Sequence, residues 1–298
     1  MRFTRGFALS VIIAIILVVA IVYLLQPERH RETTEEPLKG KQGGPLREMP
    51  YQELPEKYDT EKRGEEKIPP LEKQRIAIVI DDIGYDLAPL NELLELDAPI
   101  TFAILPHLPH SVDAAEILHR EGKEILLHLP MEPLAYPEEN PGRGALFLWM
   151  NEEEIRQQVE EDLNAVPYIV GVNNHMGSRF MEDRTKLSVV LQQLKEKKLF
   201  FVDSLTTRYS RGREVAEERE LPFAARDVFI DNGQDYKATF QILMDLVDKR
   251  NPGKMETILI IGHPYPTTIR ALKEAMPLLA AKGAQIIPVS DLLDMTVR

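Results

Sequence analysis

The sequence predicts an α/β fold: an irregular (β/α) barrel of about seven strands, preceded by one N-terminal transmembrane helix and a flexible linker. Short apolar runs alternate with amphipathic stretches of helical length through residues 74–298, a pattern typical of repeated βα units. The first run, residues 76–80, is apolar throughout, which indicates a strand buried on both faces of a parallel sheet. No glycine-rich nucleotide-binding motif is present, which favours a barrel over an open dinucleotide-binding sheet.

The alternation predicts the individual elements. Strands are expected at residues 76–80, 100–104, 124–127, 169–172, 200–202, 222–225, 257–261 and 285–288. Helices are expected at residues 87–96, 111–121, 152–165, 185–197, 235–249 and 267–282. Asn151 and Glu154 predict a capping box before the third helix. Thr267 and Gly283 are expected to cap the last helix.

Residues 1–26 carry a predicted membrane anchor. Arg2 and Arg5 precede an apolar run that ends near Leu25, and about 20 such residues span a bilayer as a helix. No small-residue cleavage pattern closes the run, so we expect an uncleaved signal-anchor, with secretion after signal cleavage as the alternative. The two arginines would keep the N-terminus in the cytoplasm, so the globular domain would be extracytoplasmic, in the periplasm or at the cell surface.

Composition limits the remaining possibilities. Residues 27–73 are rich in Glu, Lys, Arg, Pro and Gly, as expected of a flexible linker, which leaves residues 74–298 as the globular domain. The net charge of -12 argues against nucleic-acid binding, which needs clustered cations. The chain has no cysteine, so disulfides, cysteine metal sites and a thiol nucleophile are excluded.

Aspartate and histidine side chains follow five of the predicted strands. They are Asp81 with Asp82, His128, His175, Asp203 and His263. Parallel α/β folds bind ligands at the carboxyl ends of their strands, so these side chains are expected at one rim. A hydrogen-bonded structural role is the alternative for each histidine. Of the other histidines, His119 is expected on a solvated helix face, and His107 and His110 at the rim at most.

The adjacent carboxylates indicate metal chemistry. Two carboxylates at the end of a buried strand are costly to bury unless a metal or a proton stabilises them. One carboxylate with two imidazoles is a suitable ligand set for Zn²⁺ or another divalent ion, and a second carboxylate can act as a base. No G-x-S-x-G segment is present, so a serine hydrolase has little support.

Several segments taken together resemble the divergent polysaccharide deacetylase family. They are residues 79–84 (Val-Ile-Asp-Asp-Ile-Gly), 127–133 (Leu-His-Leu-Pro-Met-Glu-Pro), 174–178 (Asn-His-Met-Gly-Ser), 202–204 (Val-Asp-Ser) and 262–264 (Gly-His-Pro). The similarity covers about residues 75–293. It implies the irregular barrel of the wider superfamily with a NodB-like domain. It also implies metal-dependent removal of N- or O-acetyl groups from sugars such as chitin or peptidoglycan.

The resemblance also implies roles for the strand-end residues. Asp81 looks like the catalytic base and Asp82 like a metal ligand. His128 matches the first of two metal-binding histidines, and Glu132 stands where the second is usual. His175 would then complete the ligand set, with Glu132 as its partner or as a weaker ligand.

The remaining site residues are assigned in the same way. His263 resembles, by strand order, the histidine that acts as general acid. Asp203 would orient or tune its catalytic neighbours. Asn174, Ser178 and Arg179 would contact the ligands or the substrate, and Arg179 would position Asp81 or the substrate.

The sequence therefore predicts a hydrolase with one Zn²⁺ or another divalent ion, acting on C–N (non-peptide) bonds of an acetylated polysaccharide or peptidoglycan. It would be held at the cytoplasmic (inner) membrane by its N-terminal helix. The alternative is a non-catalytic domain of the same fold that binds glycan or an envelope partner, because the second metal-binding histidine is absent. A different metal hydrolase, such as a peptidase or phosphodiesterase, fits the ligands but not the order of the segments.

Overall fold

A curved parallel sheet organises the part of the chain that the computed structural model describes, residues 74–248 and 257–296. Nine strands and eight α-helices alternate along these residues, with one 3-10 helix. The strands are β1 (Gln74–Ile83), β2 (Thr101–Ile104), β3 (Glu124–Met131), β4 (Gly171–Met176), β5 (Phe200–Asp203), β6 (Phe223–Ala225), β7 (Val228–Phe229), β8 (Thr257–Gly262) and β9 (Ala284–Ile287). The helices are α1 (Ala88–Leu94), α2 (Ser111–Arg120), α3 (Glu152–Ala165), α4 (Arg184–Glu196), α5 (Gly212–Arg219), α6 (Tyr236–Asp248), α7 (Pro266–Ala281) and α8 (Val289–Thr296).

The predicted anchor and linker, residues 1–26 and 27–73, lie outside the described residues. Both therefore stay predictions, as does the domain boundary at residue 74. Among the helices that the structure describes, none is long and apolar enough to cross a membrane.

The order of the strands is β6-β5-β4-β3-β2-β1-β8-β7, and β9 pairs with the start of β1. Every pair among the described strands is parallel. The edge strands β6 and β7 are separated in the chain only by Arg226 and Asp227. The Arg226 N–H donates to the Asp203 carbonyl and the Asp227 N–H to the Leu259 carbonyl, so this one segment contacts both β5 and β8. The result is a parallel α/β half-barrel, which confirms the predicted parallel α/β class.

Alternate residues of each strand face opposite sides of the sheet, as the pleat requires. On β1, Ile76, Ile78 and Ile80 belong to the large cluster that packs against the helices. Ala77 and Val79 belong to a smaller cluster on the inner face. This division of the sheet into a helix side and an inner side decides which polar side chains meet at the carboxyl end.

Helix α8 closes the amino end of the inner face. Leu293 packs in the inner cluster with Val289, and the Val289 N–H donates to Glu124 Oε1 over 2.8 Å. A carboxylate that accepts N–H groups at a helix start both satisfies unpaired donors and complements the helix dipole.

Most of the predicted elements are present with small shifts of their ends, and α3 has the predicted bounds. The capping box at Asn151 and Glu154 is confirmed, and Gly283 follows the last turn of α7 with φ +85°. Thr267 as a cap is wrong: Tyr265 caps α7, and Pro266 takes the first helical position, where proline loses no hydrogen bond.

Of the nine strands described, β7 was not among the eight predicted, and two helices were missed. Strand β7 has only two residues, Val228 and Phe229, which is too short to make an apolar run. Helix α5 has only two buried side chains larger than hydrogen, Val215 and Ala216, so its sequence shows little amphipathic periodicity. Helix α8 was missed because it begins at Val289, only two residues after β9 ends, so the apolar residues of the two elements form one continuous run.

The Asp162 side chain on α3 is fully buried, and its carboxyl group stays protonated near neutral pH. Its Oδ1 lies 2.7 Å from His107 Nε2 and accepts a hydrogen bond from Gln158 Nε2, while Oδ2 has no partner in the described residues. Burial raises the pKa of Asp162 to about 8, and burial lowers the pKa of His107. The pair is therefore uncharged near neutral pH.

We predict that Asp162 makes stability fall as the pH rises. An unfolded chain releases this proton near the ordinary pKa of 3.8, whereas the folded chain holds it to about 8. Between those values the folded state binds more protons, so raising the pH favours unfolding. Asp162→Asn removes this titration, so its Tm should rise relative to the wild type from about pH 4 to pH 8. Thermal melts across that range, with exposed Asp97→Asn as control, test this; a Tm difference independent of pH would contradict it.

Candidate metal centre

Asp81 and Asp82 reach the same site because β1 contains a bulge. The register of β1 against β2 runs from Ile80–Phe102 to Ile83–Ile104, which is three residues along β1 for two along β2. In a regular strand, adjacent side chains point to opposite faces. Here Asp82 adopts a left-handed backbone with φ +59°, which aspartate tolerates better than most residues. The extra residue lets both carboxylates face the inner side of the rim.

Three side chains from three strands converge at this rim. Asp82 Oδ1 lies 3.2 Å from His128 Nε2 and 3.0 Å from His175 Nδ1. The two imidazole nitrogens are 3.1 Å apart. The structure therefore brings together the three residues that the sequence assigned to a metal. The two histidines lie within β3 and β4 and not after them, because the strand ladder continues beyond the apolar run.

The dimensions of this triangle fit a small divalent ion. Ligands 2.0–2.1 Å from a tetrahedral zinc ion lie roughly 3.3 Å from one another, close to the three separations here. Asp82 Oδ1 is buried and, despite its two imidazole neighbours, has no partner with hydrogen-bond geometry in the described residues. One oxygen and two nitrogens this close together are a set that zinc and similar ions accept.

Asn173, which the sequence analysis missed, links the base to a ligand. Its Nδ2 donates to Asp81 Oδ1 over 2.7 Å, and its Oδ1 lies 2.9 Å from His128 Nδ1. Because a carbonyl oxygen only accepts, the proton of the neutral His128 imidazole lies on Nδ1. In that neutral form the lone pair of Nε2 lies on the side of Asp82 and His175, where it could bind a metal ion.

The adjacent carboxyl groups have pKa values shifted in opposite directions. Burial raises the pKa of Asp81, and the opposing effects of His128, His263 and Asn173 do not cancel it. Burial also opposes ionisation of Asp82, but its contacts with His128 and His175 outweigh burial and hold its pKa well below the ordinary value. Asp82 is thus charged at neutral pH, as a ligand must be, while the raised pKa of Asp81 lets it take up a proton more readily.

His263 faces the triangle from β8 and is held by Asp231. Its Nδ1 lies 2.9 Å from Asp231 Oδ1, and Asp231 Oδ2 accepts from the His263 N–H and from the Thr268 hydroxyl. Burial lowers the pKa of His263, but Asp231, Asp81 and Asp82 together raise it to about 9. Its Nε2, 4.0 Å from Asp82 Oδ2, therefore carries a proton toward the site at neutral pH.

Asp203 lies in a different environment from the one expected. Its carboxylate accepts hydrogen bonds from the Ser210 hydroxyl and the Leu205 N–H, at 2.6 and 2.8 Å, and so it orders the loop before α5. Phe200 and Val202 face the inner side, which directs Asp203 to the other side. The orienting contact expected of Asp203 is made to His263 by Asp231 instead.

Glu132 and Arg179 bind each other and not the triangle. Glu132 Oε1 accepts from Arg179 Nη1 at 3.0 Å, and Oε2 accepts from the Leu148 N–H at 2.6 Å. Both carboxylate oxygens are thus engaged in holding the loop between β3 and α3. Glu132 stands at the position of the usual second histidine but is not part of the ligand cluster.

Asn174 and Ser178 also order loops at the rim. Asn174 Oδ1 accepts from the Ser204 N–H at 2.9 Å, and its Nδ2 donates to the Met176 carbonyl. Ser178 Oγ accepts from the Leu134 N–H. These contacts connect the ends of β3, β4 and β5 and so fix the rim on which the triangle lies.

We predict that Asn173→Ala weakens Zn²⁺ affinity by about 10- to 100-fold, because loss of the partner frees the ring orientation and proton position of His128. Isothermal titration with Zn²⁺ measures this, with a thermal melt to show that the variant is folded. The exposed Asn91→Ala on α1 is the matched control and should bind as the wild type does. Equal affinity of a folded Asn173→Ala and the wild type would contradict the assigned role.

Comparison with known proteins agrees with the fold. Residues 78–293 match the family described as divergent polysaccharide deacetylase. The uncharacterised protein YibQ of Escherichia coli is 35% identical over 203 residues, which are 67% of this chain and 61% of YibQ. The chain thus matches less than two thirds of the length of YibQ.

Two further proteins are similar. An uncharacterised protein of Haemophilus influenzae is 30% identical over 207 residues, 68% of this chain and 71% of that protein. The crystal structure of an uncharacterised protein from Agrobacterium tumefaciens has the same fold, with a TM-score of 0.69 and 23% identity over 75% of this chain and 90% of the other. From the match over residues 78–293, the chain belongs to the divergent polysaccharide deacetylase family.

Proposed function

We propose that this protein is a metal-dependent hydrolase that removes acetyl groups from a glycan of the cell envelope. The observation that carries the proposal is the triangle of Asp82 Oδ1, His128 Nε2 and His175 Nδ1, with sides of 3.0–3.2 Å. Asp81 and His263 lie beside it and supply a base and an acid. Membership of a deacetylase family supports an acetylated glycan as the substrate class.

The three residues of the triangle would hold one Zn²⁺ or another divalent ion. When bound, such an ion acts as a Lewis acid toward the acetyl carbonyl and lowers the pKa of water. Asn173 keeps the lone pair of His128 Nε2 directed at that position. The low pKa of Asp82 keeps its carboxylate charged for the same purpose.

The protein side chains carry the protons of the reaction. Asp81, whose Oδ1 is fixed by Asn173, takes a proton from the water that attacks the acetyl carbon. His263 donates its Nε2 proton to the leaving nitrogen or oxygen of the sugar, so the C–N or C–O bond breaks and acetate departs. Asp231 stabilises the charged imidazole before that transfer. A raised carboxyl pKa and a protonated histidine suit these two roles near neutral pH.

A glycan-binding domain without activity is the second candidate. The observation that favours it is Glu132, whose two oxygens are bonded by Arg179 and Leu148, so one of the usual metal-binding histidines has no replacement at its own position. The candidate requires that the triangle either remain without metal or hold metal without turnover.

An outward-facing location fits either candidate. The apolar run near the start of the chain would anchor the protein in the cytoplasmic membrane and place the globular domain on the side where envelope glycans lie. This location is part of the proposal.

We predict that the zinc-loaded protein releases acetate from acetylated chito-oligosaccharide or peptidoglycan. Asp81→Asn should keep Zn²⁺ but lose about 10²- to 10⁴-fold in kcat, because the amide cannot accept the proton. Acetate assays together with metal analysis measure both effects, with exposed Asp97→Asn as control. Metal binding without acetate release from either glycan would favour the binding domain, and equal turnover by Asp81→Asn would contradict the assigned base.

A further inference from the structure

We propose that Tyr85 and Tyr265 bind one sugar ring of a neutral glycan in a cleft beside the candidate metal centre. The cleft has a volume of about 250 Å³ and is lined by the two tyrosines, by Pro89 and Pro264, and by Asp82. Because Asp82 is both a proposed ligand and part of this lining, an occupant of the cleft lies next to the reacting position.

The wall formed by Tyr265 is rigid. Its ring stacks on His263 with the centroids 5.3 Å apart, and His263 stacks in turn on Phe229. The Tyr265 N–H donates to the His263 carbonyl, and Pro264 lies between them. The proposed proton donor and this wall are therefore one packed unit, so a ring held by Tyr265 has a fixed position relative to His263.

Tyr85 forms the opposite, accessible wall. It directly follows Gly84, whose φ of +125° excludes most other residues and whose carbonyl accepts from the His110 N–H. The Tyr85 side chain is 64% exposed, so its ring is accessible to a ligand. The short connection from Asp82 to Tyr85 keeps this ring close to the metal centre.

The chemistry of the walls selects a sugar. Aromatic and proline surfaces pack against the C–H faces of a pyranose ring. A cleft of about 250 Å³ has room for one sugar ring.

Charge restricts the sugar to a neutral one. The ionisable acids in the lining are Asp82 and Asp86, and no lysine or arginine lines the cleft. The whole chain is also acidic, with a net charge of -12. Asp82 would face the proposed ion, so Asp86 is the remaining charged side chain of the lining. Its carboxylate disfavours an anionic sugar ring, whereas an N-acetylated hexosamine meets no such penalty.

This inference rests on the proposed function for the reaction, but its test measures binding separately. Titration calorimetry with the full-length, zinc-loaded protein would use N-acetylated chito-oligosaccharide and an anionic oligogalacturonate. We expect Tyr85→Ala and Tyr265→Ala to weaken binding of the N-acetylated chito-oligosaccharide by roughly 5- to 10-fold. Tyr85→Phe and Tyr265→Phe should bind it about as well as the wild type does. Tyr168→Ala, at the amino end of the sheet, is the control. Zn²⁺ affinity should be unchanged in Tyr85→Ala.

The outcomes separate the subsite from the catalytic proposal. Tyrosine-dependent binding without acetate release supports the subsite and contradicts the hydrolase. Acetate release with unchanged KM and Kd in both alanine variants overturns the subsite and leaves the hydrolase intact. The subsite is also overturned if the chito-oligosaccharide does not bind or if oligogalacturonate binds equally well. It is overturned, too, if the alanine variants change only the hydrolysis of a glycan-free ester such as p-nitrophenyl butyrate, because that result would indicate a pocket for the acyl group.

Discussion

The bulge in β1 is the constraint on which the rest of the site depends. By the alternation of a regular strand, Asp82 would join Ile76, Ile78 and Ile80 against the helices, where an unpaired carboxylate is costly. The extra residue and the left-handed backbone of Asp82 turn it inward instead. Only then can one strand supply both a ligand and a base, with pKa values moved apart by different surroundings.

The two faces of the sheet explain which polar residues join the site and which do not. His128 lies on the inner face with Leu126. Val172 faces the helices, so Asn173 and His175, which alternate with it, also lie on the inner face. Asp203 follows the inward Val202 and therefore faces outward, where it orders a loop. In a strand without a bulge, polar side chains at the carboxyl end that are an even number of residues from an inner residue thus lie at the site, and those an odd number away do not. This rule separates site residues from structural ones better than their location after a strand does.

Much of this could be predicted from the sequence, and the failures have physical causes. Apolar periodicity located most elements, and the strand-end residues identified all three members of the triangle. Asn173 and Asp231 were missed because their roles depend on a neighbouring strand, Asn173 opposite His128 and Asp231 beside His263. Glu132 was expected near the metal, but it is bonded by Leu148 of its own loop and by Arg179 after β4, contacts that sequence spacing does not reveal.

The central claim is that three side chains from β1, β3 and β4 hold one divalent ion. Anomalous X-ray diffraction at the zinc edge, from crystals grown with Zn²⁺, tests it most directly. The predicted result is one ion per chain, about 2.0–2.2 Å from Asp82 Oδ1, His128 Nε2 and His175 Nδ1. An ion bound by Glu132 in place of His175, or no ion at this rim when zinc is in excess, would contradict it.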